Sequence, residues 1–375
     1  MNRIYLSLIL APFLMASCIK DTPLNPEADI LSFTYPKQYM RTESPEIYNR
    51  HVVVYPNAGV DLTTLQYSIS VTPGATYEEI RNQEVSDTLF FIQVRSENKE
   101  NTKPYAIIQV PDTFPDIFRF ENWVKYAEAF MYENPKDGSY QWFSSNNGAA
   151  FAIGSQKPAS EYPVTKAVGL GHDGSTAVKL STLVGPGTIE ATGTTIPCLS
   201  GSVFLGGFNL LTALRDPLSS IKFGVPFRKG KPLRLKGYYK YTEGSSPFIV
   251  DKNTSDANRR DSCDIYAVLF RTGDPGDDQV LDGNTVGTSL QRIARAGLSV
   301  EQRWNTPGNG LVSFDIPFVY FNETDSRYPA FSEADLQDNK YKITIVCASS
   351  YKGDYYQGRP GSTLLVDDIQ VICAP

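Results

Sequence analysis

Two stretches of the chain crowd rings, hydroxyls, amides and charges into nine residues each. The first is Tyr140-Gln141-Trp142-Phe143-Ser144-Ser145-Asn146-Asn147-Gly148, directly after the turn residues Asn134-Pro135-Lys136-Asp137-Gly138. The second is Tyr351-Lys352-Gly353-Asp354-Tyr355-Tyr356-Gln357-Gly358-Arg359. A pyranose ring has an apolar C–H face and a polar rim, so it needs a flat aromatic platform beside hydrogen-bonding groups. The expected contacts are Tyr140, Trp142 and Asn146 in the first stretch, and Tyr351, Asp354, Tyr355, Tyr356 and Arg359 in the second. Trp304, beside Asn305, is a further one. Adjacent Tyr355 and Tyr356 cannot both face inward from a regular strand, which favours their exposure. Trp142 is the ring most apt to fill a core instead.

Other chemistries fit less well. Gly169-Leu170-Gly171-His172-Asp173-Gly174 matches Gly-x-Gly-x-x-Gly, but the strand-like Ser175-Thr176-Ala177-Val178-Lys179-Leu180 follows it. A dinucleotide fingerprint needs a helix there, so that the helix N-terminus meets the pyrophosphate. Gly224 to Lys231 misses the P-loop spacing, and Pro232 stands where Ser or Thr is required. The only two histidines, His51 and His172, lie far apart, and His172 adjoins Asp173 too closely for the two to work as base and orienter. Asp274-Pro275-Gly276-Asp277-Asp278 with Asp282-Gly283-Asn284 is rich in oxygens but fails the EF-hand spacing. Glycosidases hold two carboxylates about 5–9.5 Å apart. Glu190, Glu301, Asp315 and Asp354 are available, and nothing in the sequence pairs them.

The N-terminus carries an address. Asn2 and Arg3 precede an apolar run from Ile4 to Leu14, too short to span a bilayer. Leu14-Met15-Ala16-Ser17-Cys18 then resembles a bacterial lipobox, with polar Lys20-Asp21-Thr22-Pro23 after it. That resemblance implies cleavage before Cys18 and a membrane attachment through acyl chains alone. The expected location is the outer membrane, at the cell surface or its periplasmic face. Cys198, Cys263, Cys347 and Cys373 remain, with no Cys-x-x-Cys pair to suggest zinc or redox work. Export permits disulfides, and the three pairings of four cysteines stay open, as does full reduction.

The elements that must position these residues are strands. The 375 residues include 22 Tyr and 20 Phe against 4 Met, with 28 Gly and 25 Pro for turns, a balance that favours an all-β chain. The formal charge of −6 speaks against nucleic acid as a partner. Five strands read from Ile30–Tyr35, His51–Tyr55, Leu65–Val71, Thr88–Arg95 and Tyr105–Val110 predict a small Ig-like β-sandwich over 30–111. Residues 1–17 read as signal, 18–29 as tether and 112–116 as linker. From Ile19 to Asp112 there are 8 Lys and Arg against 13 Asp and Glu, so −5 of the charge sits in this part. Residues 117–375 predict a larger jelly-roll β-sandwich. Its strands read as Ala177–Leu180, Val203–Phe208, Leu233–Tyr241, Asp264–Phe270, Val312–Phe318, Tyr341–Cys347 and Leu364–Cys373. Helical content is expected only in Glu121–Met131 and Ser289–Ala296.

Two resemblances refine this reading. Ile30-Leu31-Ser32-Phe33, Gly59-Val60-Asp61-Leu62 and Tyr105-Ala106-Ile107-Ile108-Gln109-Val110 resemble the Ig-like domains of Bacteroidetes surface lipoproteins, which implies a spacer. Phe120-Glu121-Asn122-Trp123, Leu205-Gly206-Gly207-Phe208, Phe223-Gly224-Val225-Pro226-Phe227 and Leu365-Val366-Asp367-Asp368-Ile369-Gln370-Val371 resemble the Bacteroidetes putative carbohydrate metabolism domain. The resemblance implies a carbohydrate-binding jelly roll. In related jelly rolls a structural calcium sits near the edge where Asp367 falls, which would make Glu121 its partner ligand. Asp367 shares strand parity with Ile369, Val371 and Cys373, so its carboxylate faces inward unless a bulge resets the register. Buried, it needs donors, a counter-charge or that metal. The expected whole is a lipoprotein that binds polysaccharide without cleaving it. A glycoside hydrolase using a carboxylate pair, or an adhesion subunit with envelope protein partners, are the alternatives.

Overall fold

The computed structural model of the chain describes residues 23–40, 45–57, 60–81, 88–109, 114–125, 130–137, 140–190, 193–208, 216–272, 280–304, 306–338 and 340–374. The segment 1–17 expected to be a signal, Cys18 expected to carry the lipid, and the loop at Asp274–Asp278 lie outside these residues. Described strands account for most of the regular structure, in an all-β chain of two sandwiches.

The small sandwich sets the pair Ile30–Thr34 and Ser68–Val71 against a five-stranded sheet. That sheet runs Glu46–Ile47, His51–Val54, Thr102–Gln109, Thr88–Arg95, Thr76–Ile80. Phe33, Val52, Val54, Phe90, Ile92, Val94 and Ile107 fill the space between the layers. The strand His51–Val54 is buried on both faces. Val52 and Val54 enter this core, while Val53 and the following Tyr55 pack against the core of the large sandwich. His51 lies on that second face, stacked between Tyr48 at 4.5 Å and Phe143 at 5.9 Å. Glu46 and buried Lys342 form an ion pair across the same junction. Gly207 leaves room for Tyr48, whose ring a Cβ there would meet at 3.2 Å. The expected spacer is instead docked on its neighbour.

The large sandwich packs a five-stranded sheet on a ten-stranded one. The first runs Val164–Val168, Thr176–Ser181, Thr363–Cys373, Pro232–Thr242, Val312–Pro317. The second has at its centre Asp264–Arg271, Tyr341–Ala348, Ser202–Phe208 and Tyr140–Ser144, paired antiparallel in that order. Period-two alternation decides which residues go where. Ile265, Ala267 and Leu269 face the core between the sheets, with Ile343, Ile345, Val203, Leu205 and Trp142. Tyr266, Val268 and Phe270 face the other way, with Phe204 and Val346. The large sheet is therefore apolar on both faces, and its outer face is roofed by loops.

Two expected helices are strands. Glu121–Met131 contains the strand Asn122–Lys125, which pairs with Glu133–Asp137, and Ser289–Ala296 overlaps the strand Arg292–Gly297, which pairs with Asp264–Arg271. Conversely, Asn146–Ile153, outside both segments expected to be helical, is a helix. Cys198, Cys263, Cys347 and Cys373 are free thiols, the first three buried.

Candidate functional site

A cleft of about 230 Å³ opens on the outer face of the large sheet. Its floor is Phe204, Phe223, Tyr266, Val346 and Ala348. Ser145, Ser200 and Ser202 line it as well, while the buried Ser144 and Ser350 turn their hydroxyls to Asn134 and Asp261. Phe151, from the helix Asn146–Ile153, and Tyr351, from the loop after Tyr341–Ala348, stand at its margin 42% and 46% exposed. Among the described lining residues, Asp264 and Asp354 are the only charged side chains.

Asp264 opens the strand Asp264–Arg271 opposite Ala348, on the same face as Tyr266. It is buried, and its Oδ1 accepts no hydrogen bond, although Arg303 Nε lies 3.3 Å away. Burial pushes the carboxyl above the ordinary aspartate range, Arg303 and Arg295 work against that, and Asp354 adds to it. Asp354 sits in the turn Gly353–Tyr355 with an open face to solvent, yet protein crowding around it raises its pKa too.

A buried network of hydroxyls fixes the loop that carries Asp354. Thr182 Oγ1 lies 2.8 Å from Ser349 Oγ and 2.6 Å from Ser350 Oγ. Ser350 Oγ donates to Asp261 Oδ2 at 2.6 Å, which also accepts from the Arg359 N–H and Ser362 Oγ. A Cβ at Gly353 would collide with Ser200 Cβ, so only glycine lets the turn come this close.

Of the residues expected from sequence, Asp354, Tyr351 and Tyr356 line this cleft. The others do not. Trp142 is fully buried between Phe118 and Phe120, at 5.1 and 5.2 Å, and has no face left for a sugar. Asn146 is consumed by the Val164 backbone, donating to its carbonyl at 2.7 Å and accepting from its N–H at 2.9 Å. Arg359 ties loops together, donating to the carbonyls of Ala257 and Arg259. Trp304 lies under the Arg260 guanidinium, and Tyr355 is exposed but outside the cleft. Tyr140 pairs with Asp137 in its strand, and its side chain is outside the described part. Glu190, Glu301 and Asp315 are surface residues that do not line the cleft, Asp315 being held by Arg234 and by Lys236 at 3.2 Å. Asp264 and Phe151 were missed.

At the expected metal edge, Asp368 takes a positive φ of 51° and resets the register of the last strand. Asp367 is buried, but it points at the turn Gly171–Ser175. Its Oδ2 accepts from the His172 N–H at 2.8 Å and from Ser175 Oγ, and its Oδ1 from the Asp368 N–H at 2.8 Å. Asp368 Oδ2 meets His172 Nδ1 at 2.9 Å. Glu121 is exposed, and its Oε1 accepts from the Thr176 N–H. The acidic pair therefore clamps the Gly-x-Gly-x-x-Gly turn with donors from the protein itself. Among the described residues, no three His, Cys, Asp or Glu side chains group as metal ligands.

The family model described as "Putative carbohydrate metabolism domain" matches residues 119–372. The chain belongs to that family. The match spans the large sandwich and takes in both cleft carboxylates. A crystal structure from Bacteroides thetaiotaomicron, titled a "putative glycoside hydrolase", is 28% identical with a TM-score of 0.75. The alignment covers 95% of this chain and 99% of that one, so it includes both sandwiches. A second, from Bacteroides vulgatus with the same description, is 29% identical with a TM-score of 0.59, over 69% of this chain and 98% of that one. No curated protein matches the chain.

Proposed function

We propose that this family member binds a neutral glycan in the cleft on the outer face of its large sheet, as a lipoprotein of the outer membrane. The observation that carries the reading is one cavity combining exposed Phe151 and Tyr351 with the lining serines Ser145, Ser200 and Ser202 and two carboxylates. Aromatic faces take the C–H side of a sugar and the polar groups take its hydroxyls. With Asp264 and Asp354 as the only charges among the described lining residues, a uronic or sulfated sugar would meet repulsion. The small sandwich, which we read as Ig-like, supports the sheet from one side.

A neutral glycan array should give binding that Phe151→Ala or Tyr351→Ala weakens about 30-fold, the loss expected of a stacking contact near 2 kcal/mol. Array signals unchanged in both variants would remove the cleft as the site. The anchor is tested separately: Cys18→Ala should leave the protein unprocessed or free of membranes. A mutant that is processed and membrane-bound as usual would end the lipoprotein reading.

A further inference from the structure

We propose that the sugar held in the cleft carries an apolar substituent, an aryl or alkyl group, seated at the end of the cleft away from Asp354. This rests on the glycan-binding reading and narrows its ligand class. The strand registers show that the cleft changes character along the sheet. At one end Ser202 lies opposite Ala348, the last strand residue before the loop that carries Tyr351 and Asp354. In the middle Phe204 and Tyr266 flank Val346. At the other end Phe223 lies opposite Gly206, and Ile221 opposite Phe208. Leu218, just before Ile221, and Val286, from the segment joined to Phe223 through Leu281, complete that end.

Length and chemistry together select the ligand. From Ser202 to Phe208 the strand advances six residues, about 20 Å, which is more than one sugar ring covers. Both charged lining residues among those described stand at the first end, Asp264 opposite Ala348 and Asp354 in the loop. The second end is a narrow recess whose Phe208 and Phe223 rings are almost covered by their neighbours. A sugar ring pushed into it would leave buried hydroxyls without partners, at a cost in affinity. An apolar group gives up only its contact with water there, which favours binding. The cavity therefore asks for hydroxyls at one end and carbon at the other. A substituted sugar supplies both.

The test is titration calorimetry on the full chain with the methyl, 4-nitrophenyl and n-octyl β-glycosides of glucose, galactose and xylose, the octyl compounds below micelle formation. For at least one sugar a substituted glycoside should bind about 30-fold more tightly than the methyl one. A larger gain from nitrophenyl marks an aryl group, and a larger gain from octyl marks an alkyl chain. Leu218→Ser and Ile221→Ser, both at half-buried positions, should bring the gain to within about threefold and leave methyl glycoside binding as it was. Val286→Thr, which keeps the shape of the recess, should lower the gain at least about threefold. Equal affinities for methyl and substituted glycosides overturn the proposal and leave the glycan reading standing. So does a gain that survives all three substitutions. 4-Nitrophenol or n-octanol binding as tightly as its glycosides also overturns it, since the sugar then adds nothing. If no glycoside binds while the array still reports glycans, this inference fails alone; silence in both removes the glycan reading with it.

Discussion

Trp142 and Phe143 are neighbours in one strand and serve opposite faces of the large sheet. Trp142 goes into the core with Phe118 and Phe120, while Phe143 joins the outer cluster beside His51. A sugar-binding motif and a core strand look alike at this point, because both want rings and small polar residues. The distinction is parity, and the sequence shows parity only when one face is polar. Trp142→Ala should therefore act on folding: about 3–5 kcal/mol less stable in urea melts, the usual loss for a buried large aromatic. A loss under about 1 kcal/mol would show that Trp142 is not a core residue. Asp367 makes the same point with charge. Its inward parity was expected unless a bulge reset the register, and the αL residue Asp368 does reset it, so the carboxylate meets a turn full of donors.

At the level of elements, the strands of the large sandwich were legible almost to the residue. Leu233–Tyr241 is Pro232–Thr242, and Leu364–Cys373 is Thr363–Cys373. Long runs of Val, Ile, Leu and Tyr fit only a buried pleated surface, so their ends are marked by the return of turn residues. Ser289–Ala296 failed for the opposite reason. Gln291-Arg292-Ile293-Ala294-Arg295-Ala296 uses residues of good helix propensity, and pairing with Asp264–Arg271 overrides it. Arg292 is tolerated there because its guanidinium lies 4.5 Å from the Phe321 ring and donates to the Tyr328 hydroxyl. The cleft was half legible. Asp354 and Tyr351 lie in a polar loop that advertises itself. Asp264 begins a strand that reads as core, and its meaning depends on the apolar outer parity of Tyr266, Val268 and Phe270, which signals that the outer face is covered. Phe151 was hidden because its helix is only eight residues long and lies outside the segments expected to be helical.

For the whole molecule, the consequence is that two sandwiches share one strand of contact. Val-Val-Val-Tyr at 52–55 is an unbroken apolar and aromatic run, the mark of a strand covered on both sides. Rings continue from Tyr48 through His51 and Phe143 to Phe204 and Phe223 in the cleft floor, with centroids 6.3 Å apart at Phe143–Phe204 and 5.3 Å at Phe204–Phe223. The small sandwich thus buttresses the floor of the site, and His51 is the titratable group at the joint. Burial without a charge partner lowers its pKa from 6.5 to about 4. A folded-state pKa below the unfolded one means the unfolded chain binds the extra proton between these values. The contribution is full above pH 6.5 and is lost as the pH falls toward 4, by about 3 kcal/mol in all. His51→Phe keeps a ring between Tyr48 and Phe143 but cannot take up the proton. Between pH 7 and pH 4 the wild type should therefore lose about 3 kcal/mol more than this variant, read from urea melts at each pH. Because every other titrating group is common to both proteins, their acid losses cancel in the difference. Parallel stability curves for the two would mean that His51 is hydrated in solution and that the sandwiches part at this joint.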